Sequence, residues 1–336
     1  MIRTVFYAKE DKLMSVKWGV LGTANIAKGC TIPGMKQAGN CELYAIAGRN
    51  EKKVEDYKNE FGFTKSYVGY DKLLEDPEVQ AVYIPLPNSL HKEWVIKALK
   101  AGKHVLCEKP MALTADDARE MFDVAKANNV FLMEAYAYLH SPYIASLKAD
   151  LDSGIIGDVD YIETAFVTQG YVDDIRLYKE LGGGAIYDLG CYCTTMILSM
   201  IESDIECVMA NAEFNDFGAD VFSSALIRFT NGVRASFNVG MIFNPGANGR
   251  WDRLYIHGNK GTITSAVEYN QAGDLSYEII SNGEKITRTV NAGWNYTLET
   301  EQLGRCIEKG EKPFVSPEFS IRNAELMDQV LAKAGY

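Results

Sequence analysis

Four runs within the first 135 residues are apolar on consecutive positions: VLG at 20–22, YAIAG at 44–48, AVYIPL at 81–86 and HVLC at 104–107. A strand with one face in water alternates apolar and polar side chains. A run without alternation belongs to a sheet covered on both faces. Candidate strands at 17–21, 42–47, 81–85, 104–107 and 130–134 are separated by helical patterns at 25–37, 51–61, 89–101 and 114–127. Strand–helix repetition with right-handed crossovers predicts a doubly wound parallel sheet.

The character changes after about residue 150. Alternating segments with hairpin punctuation follow, with Asn231-Gly232 between SSALIRF and VRASFNV and Asn282-Gly283 between LSYEII and EKITRTV. Asn-Gly tolerates positive φ at both centres of a type I′ turn. A further turn at 257–261 precedes Thr262-Ile263-Thr264, and helices are predicted at 184–199, 295–309 and 317–334, the last with Ser316 as N-cap and Pro317 in its first turn. A chain of 336 residues exceeds one ordinary core. The expected organisation is an extension at 1–15, a dinucleotide-binding Rossmann domain at 16–138 and an α+β domain with a largely antiparallel open sheet at 139–336, the overall class being α/β.

Composition removes several classes of function. A formal charge of −11 argues against nucleic acid, whose phosphates need basic patches. Seven cysteines without a CxxC pair and four scattered histidines disfavour a disulfide framework and a metal site. No 18-residue apolar run exists, and MIRTVFYAKEDKLM lacks the apolar core of a signal peptide, so a cytoplasmic protein without a membrane span is expected.

Gly22-Thr23-Ala24-Asn25-Ile26-Ala27 closes the first strand and opens a helix. It reads as the dinucleotide fingerprint with alanine at its second and third glycine positions. The first glycine permits the tight turn, and small residues let backbone approach a pyrophosphate at a helix N-terminus. The second strand ends Ala47-Gly48-Arg49-Asn50, with arginine where NAD sites usually carry a carboxylate for the ribose hydroxyls. A guanidinium there matches the 2′-phosphate of NADP, with NAD as the alternative.

Glu108-Lys109-Pro110 follows the apolar run at 104–107, at the sheet edge where open α/β folds bind ligands. A primary amine beside a nicotinamide can hold and polarise a hydroxyl or ketone. Asp188 and Tyr192 stand i, i+4 on the helix behind the Gly182-Gly183-Gly184 run and so share one face. GVLGTANIA (19–27), AVYIPLPNSLH (81–91), AGKHVLCEKPMAL (101–113) and ELGGGAIYDLGCY (180–192) stand in the order and spacing of the Gfo/Idh/MocA oxidoreductases, which the chain resembles.

The resemblance implies that this helix lies over the nicotinamide and faces Lys109. The ammonium would then lower the pKa of the Tyr192 phenol, the proton carrier being Tyr192 or Lys109, while Asp188 orients the lysine or a substrate hydroxyl. It implies too that Leu86, Pro87, Asn88 and His91 line the nicotinamide ribose and that Glu108 meets the carboxamide. Tyr136, Arg176 and Tyr178 are candidates for substrate contact; the family often has arginine where Leu139 stands, a loss for which Tyr138 or His140 would compensate. The expected activity is hydride transfer between a nicotinamide cofactor and a sugar, polyol or related hydroxy/keto compound. A cofactor-retaining glycosidase and a non-catalytic dinucleotide sensor are the alternatives. Alternation in VFSSALIRF and VRASFNVGM predicts a homodimer or larger homo-oligomer through the second sheet.

Overall fold

A computed structural model describes residues 15–244, 249–266 and 269–336; all but the last residue of the expected extension lies outside the described residues. The first half alternates strands and helices: β1 (Val16–Leu21), α1 (Ile32–Gln37), β2 (Cys41–Gly48), α2 (Glu51–Phe61), β3 (Lys65–Val68), α3 (Tyr70–Leu74), β4 (Ala81–Ile84), α4 (Asn88–Lys100), β5 (His104–Glu108), α5 (Ala115–Ala127) and β6 (Leu132–Ala135). The six strands pair in parallel in the order β3-β2-β1-β4-β5-β6. Five of them correspond to the predicted runs. The sixth, β3, is an edge strand of half-buried and exposed residues, which carries no continuous apolar signal.

Consecutive apolar residues serve both faces of this sheet. Trp18, Val20, Tyr83 and Leu106 belong to one buried cluster. Leu21, Val82, Ile84 and Val105 belong to another, packed under Val95 and Leu99 of α4 and Met121 of α5. Burying each such side chain contributes roughly 1.5–3 kcal/mol, so both faces are held firmly to their helices.

The second half adds α6 (Pro142–Asp152), β7 (Val159–Gln169), α7 (Cys191–Met200), β8 (Ile205–Phe214), β9 (Asp220–Phe229), β10 (Arg234–Phe243), β11 (Arg250–Gly258), β12 (Gly261–Ser265), β13 (Gly273–Ser281), β14 (Glu284–Ala292), α8 (Asn295–Lys309) and α9 (Pro317–Ala334). Eight strands form one sheet, β14-β13-β12-β11-β7-β10-β9-β8, in which the β7–β10 pair is parallel and the rest are antiparallel. The β13–β14 turn has positive φ at both Asn282 and Gly283, as a type I′ turn requires. At the β9–β10 turn only Gly232 is positive, which corrects the equivalent reading for Asn231. Helix α6 was not expected; Ser141 caps it by accepting from Tyr143 N, with Pro142 at its start.

The two sheets share one apolar cluster, and the chain returns to the first sheet at its end. Thr297 on α8 donates to the carbonyl of Gly34 on α1 at 3.2 Å. A Cβ at Gly34 would stand 2.7 Å from Tyr296 Cβ and 2.9 Å from Thr297 N, so close helix packing requires glycine there. Among the described residues no helix is long and apolar enough to cross a membrane.

Candidate functional site

The strand order reverses at β1, and ligands of open α/β sheets bind at such a reversal, beyond the carboxyl ends of the strands. There a cleft of about 890 Å³ is lined by Gly22–Ile26 after β1, Arg49 and Asn50 after β2, Leu86, Pro87 and Asn88 after β4, and Glu108 and Lys109 at the end of β5. Asp188, Tyr192 and Arg176 line it from the second half. Thus most of the candidate residues, drawn from separate segments, meet around one space.

The turn after β1 fits a dinucleotide. Gly22 holds φ +126°, and a Cβ there would sit 3.1 Å from Leu86 Cδ2, so only glycine is unstrained. Its N–H donates to Ala47 O at 2.8 Å, and the Tyr57 hydroxyl donates to Thr23 O at 3.1 Å, fixing the loop against β2 and α2. The helix that follows leaves backbone N–H groups at 23–26 for an anion. Lys53, in the first turn of α2, also lines the cleft beside Arg49. The sequence reading did not single it out, because its place beside Arg49 is made by the extended N-cap Asn50 and not by a helical spacing.

At the other end, Lys109 Nζ donates to Asp188 O at 2.8 Å and to Asp188 Oδ1 at 3.1 Å. Arg176 Nε donates to Asp188 Oδ2 at 2.7 Å, and its Nη1 to Asp174 Oδ1 at 3.0 Å. Asp188 lies in a π-helical turn, Ile186–Gly190, that opens directly into α7. Such wide turns cluster at functional sites. The Gly182–Gly184 run sets the approach to it. A Cβ at Gly183 would stand 2.5 Å from Arg176 O, and one at Gly184, where φ is +121°, 2.2 Å from Asp220 Oδ1. Asn88 Nδ2 donates to Gly182 O at 2.8 Å, tying the run to the loop after β4.

Burying a carboxylate costs several kcal/mol, and each cation a few ångströms away returns on the order of 4 kcal/mol at an effective dielectric near 20. Two cations therefore outweigh burial at Asp188: desolvation pushes its pKa up, but Lys109 and Arg176 hold it well below the usual carboxylate range. Burial likewise pulls Lys109 down, but Asp188 and Tyr192 more than restore it, leaving a raised pKa and a firm positive charge.

Tyr192 departs from expectation. The Lys109 ammonium lies 4.6 Å from the centroid of its ring, over the face instead of beside the hydroxyl. Burial raises the phenol pKa, and the lowering by Lys109 is the smaller effect, so the predicted depression is corrected to an increase. Phe166, Tyr138 and Tyr269 crowd the ring with centroids 4.9–5.6 Å away. Asn270, a cleft residue at φ +66° that the sequence did not single out, donates to the Tyr192 hydroxyl at 3.4 Å. Glu108 is buried and accepts from the Tyr83 hydroxyl at 2.5 Å, burial holding its pKa raised.

Three candidates do not line the cleft, and their assignments are corrected. His91 is fully buried beneath the wall, its ring nitrogens against the carbonyls of Leu86 and Pro110. Tyr136 is fully buried under Tyr192, its hydroxyl accepting from Asn323. Tyr178 packs on Phe217 with the rings tilted at 45° and their centroids 4.8 Å apart, outside the cleft. Tyr138 and Leu139 are also core residues, and His140 packs on Phe314, so none replaces an arginine in the cleft.

Residues 16–136 match the oxidoreductase family with NAD-binding Rossmann fold, and residues 144–264 match the Gfo/Idh/MocA C-terminal domain. The chain belongs to the Gfo/Idh/MocA oxidoreductases. It is similar to a D-xylose 1-dehydrogenase (NADP(+)) of Haloferax volcanii, with 32% identity over 94% of this chain and 97% of that protein. It is 29% identical to a trans-1,2-dihydrobenzene-1,2-diol dehydrogenase of Xenopus laevis, covering 96% of this chain and 99% of that one. Among solved structures, a 3-ketoreductase from Actinomadura kijaniata in complex with NADP and TDP-benzene superposes with a TM-score of 0.89 at 29% identity, covering 95% and 98% of the two chains. In this Gfo/Idh/MocA chain the ion triad is structural as well as electrostatic. Asp188→Asn leaves Lys109 and Arg176 facing a neutral amide. The unfolding free energy is expected to fall by about 3 kcal/mol, read as a lower thermal midpoint at neutral pH. Because the Asp188 pKa is depressed on folding, its contribution is full above the ordinary carboxylate range and lost in acid, so wild type and variant should converge as pH falls. Equal midpoints at neutral pH would refute the triad.

Proposed function

We propose that this protein is an NADP-dependent oxidoreductase that transfers hydride between the nicotinamide and a sugar, polyol or related hydroxy/keto compound. The observation that carries the reading is the convergence of an ammonium, Lys109, and a phenol, Tyr192, from opposite halves of the fold on the sheet-edge cleft. Residues Gly22–Ile26 would hold the pyrophosphate, and Glu108 and the loop after β4 the nicotinamide half. Bound cofactor supplies or accepts the hydride. Lys109 stabilises negative charge growing on the substrate oxygen, and Tyr192 exchanges the proton with that oxygen.

With its pKa raised, the Tyr192 phenol keeps its proton at neutral pH. A tyrosine that keeps its proton at neutral pH is ready to deliver it to a ketone oxygen as hydride arrives at carbon. Alcohol oxidation requires the phenolate and so gains from alkaline conditions. Phe166, Tyr171 and Tyr269 also line the cleft; Phe166 stacks on Tyr269, and the Arg250 and Arg176 guanidinium groups lie over the rings of Phe166 and Tyr171. The named activities of the Haloferax and Actinomadura relatives support the substrate class.

Lys109→Met and Tyr192→Phe are each expected to lose more than a hundredfold in kcat, about 3 kcal/mol of barrier, with NADPH affinity held. An absorbance screen at 340 nm of sugars, polyols and diketones supplies the assay, and full activity in both variants would reject the roles. NADP preference is proposed to rest on Arg49 and Lys53, which together match a 2′-phosphate at the start of α2. Arg49→Ala should weaken NADPH binding at least tenfold while leaving NADH binding within twofold; an unchanged ratio would remove the assignment.

A homodimer through the eight-stranded sheet is proposed as well. Met209 and Leu226 pair across β8 and β9 on its outer face and are 59% and 52% exposed, an apolar display that pairing would cover. Sedimentation at micromolar concentration should give a species of twice the chain mass, and a monomer would count against it.

A further inference from the structure

His91 sits in the first turn of α4 with no exposed surface, outside the cleft. Its Nε2 lies 2.8 Å from Leu86 O and its Nδ1 2.9 Å from Pro110 O. These carbonyls belong to the loops after β4 and β5. Both loops have left the parallel ladder, since the β4–β5 pairing ends at Ile84 and Cys107. Pro85, Pro87 and Pro110 further remove three backbone donors from these two loops. A buried carbonyl without a partner is costly, so a side chain must serve where the backbone cannot. A leucine of similar volume would fill the space and leave both carbonyls unserved.

The loops so joined have different tasks. Leu86 forms part of the cleft wall, and a Cβ on Gly22 would strike its side chain. Pro110 follows Lys109 directly. Beyond it, Met111 N donates to the buried carboxyl of Glu134 on β6 at 2.9 Å, so the segment after Lys109 is gripped on one side by His91 and on the other by β6. Burial lowers the His91 pKa to about 4, against the pull of the Pro110 and Leu86 carbonyls, and the ring is neutral near pH 7. A neutral ring has one N–H, so its tautomer selects Leu86 O or Pro110 O as the bonded carbonyl, and the ring packs against the other without a hydrogen bond.

We propose that His91 is a positioning residue: it ties the cofactor loop after β4 to the lysine loop after β5, and so sets where Lys109 stands relative to the nicotinamide end of the cleft. The inference rests on the reading of Lys109 as the group that meets the substrate oxygen. It adds that the two sheet-edge loops of the site hold their places through one imidazole and are coupled by it.

The test is hydrogen–deuterium exchange on the full chain, with and without NADPH, for wild type, His91→Leu and His91→Gln. In His91→Leu, amide exchange is expected to rise at least tenfold in both 86–90 and 108–113, with strands 81–84 and 104–107 still protected and the fluorescence-titrated dissociation constant for NADPH up at least fivefold. His91→Gln, which keeps a donor, should fall between wild type and His91→Leu. Should the leucine variant not fold, a rise of at least tenfold in one of the two loops of His91→Gln supports the tie, and no rise overturns it. Unchanged exchange in both loops of a folded His91→Leu overturns it, as does loosening that spreads equally through the strands, which marks a general core residue. The outcomes also separate this inference from the reading beneath it. Both loops loosened in His91→Leu while Lys109→Met keeps full turnover would leave the tie standing and remove the role of the lysine; the reverse pattern would remove the tie alone.

Discussion

Asp188 is a carboxylate almost out of water between two cations, and the candidate site depends on it. Its partners come from distant places: Lys109 from the end of a parallel strand, Arg176 from a loop before the glycine run. With Asp174 on the outer side of Arg176, the charges alternate from the surface inward and end at the Lys109 ammonium. That order keeps the lysine charged against burial, which pulls its pKa down. It also joins the two halves of the molecule at the point where their chemistry meets. The glycine run is there for the same reason, because side chains at 183 and 184 would strike Arg176 and Asp220 and displace the turn that carries Asp188.

The cleft follows from how the two sheets are joined. A doubly wound sheet opens at the reversal of its strand order, but by itself offers only one wall. The second wall comes from β7, the π-helical turn before α7 and the start of α8. Helix α8 then packs against α1, close enough to exclude any side chain at Gly34. The chain is thus pinned to its first domain near its end as well as in its middle, and one apolar cluster runs from the first sheet into the second.

Tyr192 shows where reasoning along the chain reaches its limit. Lysine beside tyrosine suggests a lowered phenol pKa, which holds when the ammonium faces the oxygen. Here it faces the ring, and five-ångström aromatic neighbours take the hydroxyl out of water. Desolvation wins, and the phenol holds its proton more firmly instead of yielding it more readily. His91 is a similar case. Its position next to Pro87-Asn88 suggests a cofactor contact, yet its ring turns inward because two ladder-free carbonyls need it there.

The sequence alone determined what depends on local rules. Unbroken apolar runs declared a sheet covered on both faces, Gly22 declared a turn that only glycine can make, and Asn282-Gly283 declared a hairpin. The order of motifs was sufficient to place Lys109, Asp188 and Tyr192 in one family register. It was blind to β3, whose edge position leaves no apolar run to read, and to Lys53 and Asn270, whose proximity to the cleft is made by folding. Which side chains face the cleft, and what charge they hold there, was decided only by tertiary structure. Burial and the direction of approach are properties of surroundings assembled from residues tens to more than a hundred positions apart, and no pattern along the chain encodes them.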